Sequence, residues 1–147
     1  MRLRHRVRTA ASPADVWSLL GTPSRWPEFD PLVGRVRGVA GPAVTGQRLL
    51  ASVRTVGLGL PLDVVEAVPG ERLVVRVATV PGVVEETTWV LTPSVKGGTD
   101  IAVSVVVDGP LARPACLPAW AGRGLAARVL AARADRLARD ARRAGAA

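Results

Sequence analysis

The sequence predicts an α+β protein with a seven-stranded antiparallel sheet, two short helices after the first strand, and a long C-terminal helix. Three observations carry this prediction. The first residues alternate charged and apolar side chains. The segment from Leu32 to Val107 divides into short apolar runs separated by Pro-Gly and Gly-rich turns. The chain then closes on an Ala/Arg-rich stretch with helical spacing.

In the opening strand, Arg2, Arg4, Arg6 and Arg8 alternate with Leu3, His5 and Val7 up to Thr9. Side chains on a strand point to opposite faces with period two, so the guanidinium groups face water and Leu3, His5 and Val7 face inward. No long apolar run follows this positive start, so no secretory signal is expected. Ser12 is an expected N-cap, with Pro13 at the first helical position and Asp15 in the first turn, where the helix dipole favours an anion. Val16, Trp17, Leu19 and Leu20 supply the buried face, and Gly21 ends the helix. Thr22-Pro23 repeats the cap-then-proline start for a second short helix ending by Pro27. Trp26, Phe29, Pro31 and Leu32 form a dense apolar set.

The expected strands then run Leu32–Arg37, Gln47–Val56, Leu62–Ala67, Glu71–Thr79, Val83–Thr92 and Thr99–Val107. Turns this short make consecutive strands antiparallel neighbours. Gly57-Leu58-Gly59-Leu60-Pro61 reads as a loop between two of them. Alternation points Leu73, Val75 and Val77 inward, opposite Arg72 and Arg76. It also places Glu85, Thr87, Trp89 and Leu91 inward, and likewise Ile101, Val103, Val105 and Val107. Leu49, Ala51 and Val53 oppose Arg48, Ser52 and Arg54. The strand at Leu62 is ambiguous, because Asp63 and Glu66 fall on opposite faces by parity.

On a wheel, the last helix gathers Trp120, Ala127, Leu130, Ala131, Ala134, Leu137, Ala138 and Ala141 on one side. Arg128, Asp135, Arg136, Arg139 and Arg143 lie opposite. The inner face is mostly alanine, whereas close-packed interiors normally call for larger side chains. Either the helix sits unusually close to the sheet, or the missing volume is a ligand cavity.

The stretch Ala11–Pro31, ASPADVWSLLGTPSRWPEFDP, resembles the opening of the polyketide cyclase and lipid-transfer branch of the START/Bet v 1-like (SRPBCC) superfamily. Val68-Pro69-Gly70-Glu71 followed by Leu73–Arg76, Thr87–Pro93, Gly97-Gly98-Thr99 and Asp108–Ala112 resemble that branch in the same order. The resemblance implies a helix-grip fold, a sheet wrapped around the C-terminal helix with a cavity between them. A pocket on the order of several hundred Å³ is the usual scale for such a site. Thr87, Trp89, Val103, Val105, Ala127, Ala131 and Ala134 are its expected lining. In abscisic-acid-receptor relatives the loop comparable to Gly57–Pro61 is a gate over the cavity.

His5 and Glu85 are the candidate catalytic residues. A histidine titrates near neutral pH and can move protons; its alternative is a strand-end ring bonded to a backbone carbonyl. An inward carboxylate is costly unless paired, so Glu85 lies near a cavity mouth, in a salt bridge, or in a functional role. Composition narrows the chemistry. The chain has no Tyr, one Phe and one Met, which implies an aliphatic lining and weighs against cyclisation of aromatic polyketides. One Cys and one His leave no metal cluster and no intrachain disulfide, and no cofactor is expected. A cytoplasmic location is the default expectation, and no apolar run approaches the ~20 residues of a membrane span.

The net charge of +8 comes from nineteen arginines and Lys96. No aromatic residues interleave the arginine stripes, so base stacking has no platform, and no specific nucleic-acid partner is expected. One domain of 147 residues binding a hydrophobic or amphipathic, lipid- or polyketide-like small molecule is the expected function. A polyketide cyclase/aromatase-type enzyme using His5 or Glu85, and a module interacting through its basic surface, are the alternatives.

Overall fold

The computed structural model describes residues 2–38, 41–54 and 57–146. The alternating N-terminus forms edge strand β1 (Arg2–Thr9). Helix α1 (Pro13–Leu20) follows, with the Ser12 hydroxyl accepting from the Asp15 N–H as a cap. The second short helix is a 3-10 helix, Pro23–Glu28, and runs through Pro27. Thr22 does not cap it with its side chain; its hydroxyl donates back to the Ser18 carbonyl at 2.9 Å.

Six further strands make a meander: β2 (Val33–Arg37), β3 (Arg48–Val53), β4 (Gly59–Val68), β5 (Arg72–Val80), β6 (Val83–Pro93) and β7 (Thr99–Asp108). Their order in the sheet is β1-β7-β6-β5-β4-β3-β2, antiparallel throughout. The two short helices therefore carry the chain from one sheet edge to the other. Helix α2 (Ala112–Ala146) closes the fold, which is the helix-grip arrangement. No helix among the described residues is long and apolar enough to cross a membrane.

The expected faces of β5, β6 and β7 are the observed ones, with Leu73, Val83, Glu85, Thr87, Trp89, Leu91, Ile101, Val103, Val105 and Val107 buried. Three expectations change. Gly59-Leu60-Pro61 belong to β4 rather than to a loop, pairing with Ser52, Ala51 and Leu50. Strand β3 ends at Val53, and the expected continuation to Thr55 and Val56 lies outside the described residues. The ambiguity at Leu62 is resolved by a bulge between Val64 and Glu66. One inserted residue reverses the parity, so Asp63 and Glu66 share the outer face. There they pair with Arg48 and Arg72, each at 3.0 Å.

Helix α2 lies over β1 and β7 rather than over the middle of the sheet. Its buried alanines, Ala126, Ala127, Ala131, Ala134 and Ala138, share one core cluster with Leu130, Ile101 and Val103. Short side chains let the helix approach closely there. Beneath its first turns, Val83, Val105 and Val107 form a second cluster with Leu3, Ala112, Ala115 and Ala119. The wheel misplaces three residues. Trp120 remains 37% exposed, Ala141 is exposed, and Asp135 turns toward the sheet. Strand β1 ends there, leaving backbone donors that need partners. The Asp135 carboxylate accepts from the Ala10 N–H at 2.8 Å and from the Thr9 hydroxyl.

Candidate functional site

Because α2 lies mainly over β1 and β7, the inner face of β3 to β6 is left largely to the short helices. The space between them is a cavity of about 340 Å³. Leu62, Leu73, Val75 and Val77 form its floor, and Leu20, Trp26 and Phe29 form the opposite wall. Trp26 is fixed by its indole N–H, which donates to the Leu20 carbonyl at 2.8 Å. Phe29 meets Trp89 edge to face at 6.2 Å between ring centres. Leu32 and Leu58 line the cavity yet stay largely exposed, so they mark its mouth.

One wall is polar. Strand alternation in β6 brings Glu85 and Thr87 inward, the end of the 3-10 helix brings Asp30, and α2 contributes Arg123. Arg123 donates through Nε to Glu85 Oε1 at 3.0 Å and through Nη1 to Asp30 Oδ2. The Thr87 hydroxyl donates to the same Glu85 oxygen at 3.3 Å, and Asp30 Oδ1 accepts from the Leu32 N–H at 2.9 Å. Glu85 is only 8% exposed and Asp30 only 5%. Burial disfavours the Arg123 charge. The attraction of Asp30 and then Glu85, with hydrogen bonds to both, outweighs that cost and raises its pKa above the usual guanidinium value.

Two glycines explain how an arginine fits there. A Cβ on Gly124 would stand 2.6 Å from the His5 ring, and one on Gly122 would stand 3.2 Å from Leu32. Glycine inside a helix costs about 0.5–1 kcal/mol relative to alanine. Here the pair lets α2 settle against both neighbours, with Arg123 between them.

The expected site residues separate into two groups. Glu85, Thr87 and Trp89 come together in the cavity. Val103, Val105, Ala127, Ala131 and Ala134 are buried where α2 meets the sheet and are not among the cavity's lining residues. Close contact, rather than empty space, accounts for the alanine face. His5 is likewise outside the cavity lining. Its ring stacks on Trp120 at 4.5 Å, and Nε2 donates to the Trp120 carbonyl at 2.9 Å, which fixes the tautomer.

Asp30 and Arg123 are the residues that the sequence reading passed over. The signal for Arg123 was present, since it lies within about 20° of Leu130 on a helical wheel. A charged side chain is ordinarily expected on the solvent side. Asp30 stood in plain view within the Trp26–Pro31 motif, but nothing local marks it as buried.

A family model described as polyketide cyclase/dehydrase and lipid transport matches residues 1–143. No curated protein matches the chain. Among solved structures, a protein from Mesorhizobium loti superposes with a TM-score of 0.75 at 20% identity, covering 92% of this chain and 98% of its own. A protein from Rhodobacter sphaeroides gives 0.68 at 26% identity, with 92% and 93% covered. The di-domain ARO/CYC protein StfQ of the steffimycin biosynthetic pathway gives 0.74 at 18% identity, covering 93% of this chain and 52% of StfQ. The match along nearly the whole length assigns the chain: it belongs to the polyketide cyclase/dehydrase and lipid transport family, within the SRPBCC superfamily.

Proposed function

We propose that this protein binds a hydrophobic or amphipathic small molecule in the cavity between its sheet and helices, for transport or sequestration. The observation that carries this reading is a largely apolar space of about 340 Å³ whose charged lining residues are Asp30, Glu85 and Arg123. That volume is within the range of small-molecule sites, which are mostly apolar with a few placed polar groups. The family's association with lipid transport agrees with it.

Binding of N-phenyl-1-naphthylamine, an uncharged apolar fluorophore, tests the proposal. Trp26 and Trp89 line the cavity and report occupancy by energy transfer. Saturable one-to-one binding with loss of tryptophan emission is expected. No saturable binding would refute the proposal.

A cyclase-type reaction is the second reading, favoured by one observation: Glu85 lines the cavity, and one of its carboxylate oxygens has no protein partner among the described residues. It rests on Glu85 alone, since His5 is held elsewhere. Replacing a general base typically costs about 10²–10⁴ in rate. Losing one ligand hydrogen bond costs about 0.5–1.5 kcal/mol, or roughly threefold to tenfold in affinity. Glu85→Gln is expected to show the second, smaller effect. Cyclisation of a polyketide chain, abolished in that variant with its binding intact, would establish the enzyme reading instead.

A further inference from the structure

Two atoms of the polar wall have no protein partner among the described residues, Glu85 Oε2 and Arg123 Nη2. No fully buried side-chain nitrogen or oxygen there lacks a partner. Both atoms therefore keep some accessible surface, and both residues line the cavity. One is an acceptor and the other a donor. The cluster as a whole sets two carboxylates, Asp30 and Glu85, against one guanidinium, so its formal charge is −1.

We infer that the cavity selects an uncharged amphiphile whose head group is a hydroxyl, and discriminates against a carboxylate of the same chain length. This rests on the binding function proposed above. A hydroxyl can donate to Glu85 Oε2 and accept from Arg123 Nη2 at the same time. An ether can only accept, leaving the Glu85 oxygen unmatched. A carboxylate brings a third anion to a buried cluster already formally negative, where charges are screened far less than at the surface.

The rest of the protein pulls the other way. Its net charge of +8 attracts anions to the surface. A preference for the neutral head group would therefore have to arise in the cavity itself. Arg48, Arg72 and Arg76 are engaged by Asp63, Glu66 and Glu86 on the exposed side of the sheet, and none of them lines the cavity.

Calorimetric titration with 1-decanol, decyl methyl ether and decanoate, each below its micellar concentration, tests this. Salt of ~0.15 M, where the Debye length is about 8 Å, suppresses surface attraction. Decanol is expected to bind about threefold to tenfold more tightly than the ether, the value of one hydrogen bond. Decanoate is expected to bind at least about tenfold more weakly than decanol, as befits a buried like charge. In Glu85→Gln the cluster becomes formally neutral, and the decanol preference over decanoate should fall to about threefold or less.

Decanoate binding as tightly as decanol, or an unchanged preference in Glu85→Gln, would overturn the head-group inference while leaving the cavity reading intact. Failure of all three probes to bind would overturn the cavity reading itself. Should Glu85→Gln not fold, the wild-type series decides alone.

Discussion

Arg123→Met removes the one guanidinium of the polar wall while keeping a flexible apolar stem. Asp30 and Glu85, 5% and 8% exposed, would then share a buried site with no counter-charge. Their remaining partners, the Leu32 N–H and the Thr87 hydroxyl, are neutral. Removing one partner of a buried ion pair typically costs about 3–5 kcal/mol. For a chain of 147 residues that is a drop of roughly 10–15 °C in Tm. Urea unfolding followed by circular dichroism measures the free-energy loss, and a thermal melt measures the shift in Tm. The triple variant Asp30→Asn, Glu85→Gln, Arg123→Met has similar shape and no charge. It should recover to within about 1 kcal/mol of wild type, because replacing a whole buried network is often neutral or stabilising. A single-variant cost below about 1 kcal/mol would show that the network is effectively solvated. A triple variant as unstable as the single one would show that the loss was packing and not charge.

Three further outcomes follow from the contact between α2 and the sheet. Gly124→Ala should destabilise by about 1–3 kcal/mol, since its Cβ would enter the His5 ring, and His5→Ala should relieve part of that cost; thermal melts of the single and double variants check this. Ala134→Leu should also cost about 1–3 kcal/mol, because Ala134 is fully buried in a filled interface; a stabilising leucine would reveal empty space there. His5→Gln should change affinity for N-phenyl-1-naphthylamine by less than the roughly threefold effect of one hydrogen bond, and a larger loss in a fluorescence titration would place His5 at the ligand.

Most of the fold was legible because turns and parity are local signals. Pro69-Gly70 and Pro81-Gly82 punctuate the meander, and period-two alternation gives the faces of β5, β6 and β7 without tertiary information. Parity fails where a residue is inserted, and the bulge in β4 carries no local signature at Val64–Glu66. The stretch Gly59–Pro61 reads as a loop because glycine and proline disfavour strands; pairing with β3 overrides that preference. In the site, Glu85 and Thr87 follow from alternation, whereas Arg123 does not follow from the assumption that charge faces water. Its burial depends on Asp30, 93 residues away in sequence, and on glycines that make room. The alanine face of α2 was compatible with a cavity or with close contact. Only the lateral position of the helix over β1 and β7 decides between them.

The central claim is that the cavity flanked by Trp89, Val75 and Arg123 is the ligand site, and filling it tests that directly. Val75→Trp directs an indole into the space from the floor of the sheet. An indole is a large, rigid aromatic body, and standing on the floor of a pocket of about 340 Å³ it obstructs the space a ligand would use. Titrating wild type and Val75→Trp with N-phenyl-1-naphthylamine, with Tm measured in parallel, is the decisive comparison. The account predicts saturable binding to wild type, and at least about a hundredfold (~2.7 kcal/mol) loss in the variant with its fold retained. Equal affinity in a folded Val75→Trp would contradict it.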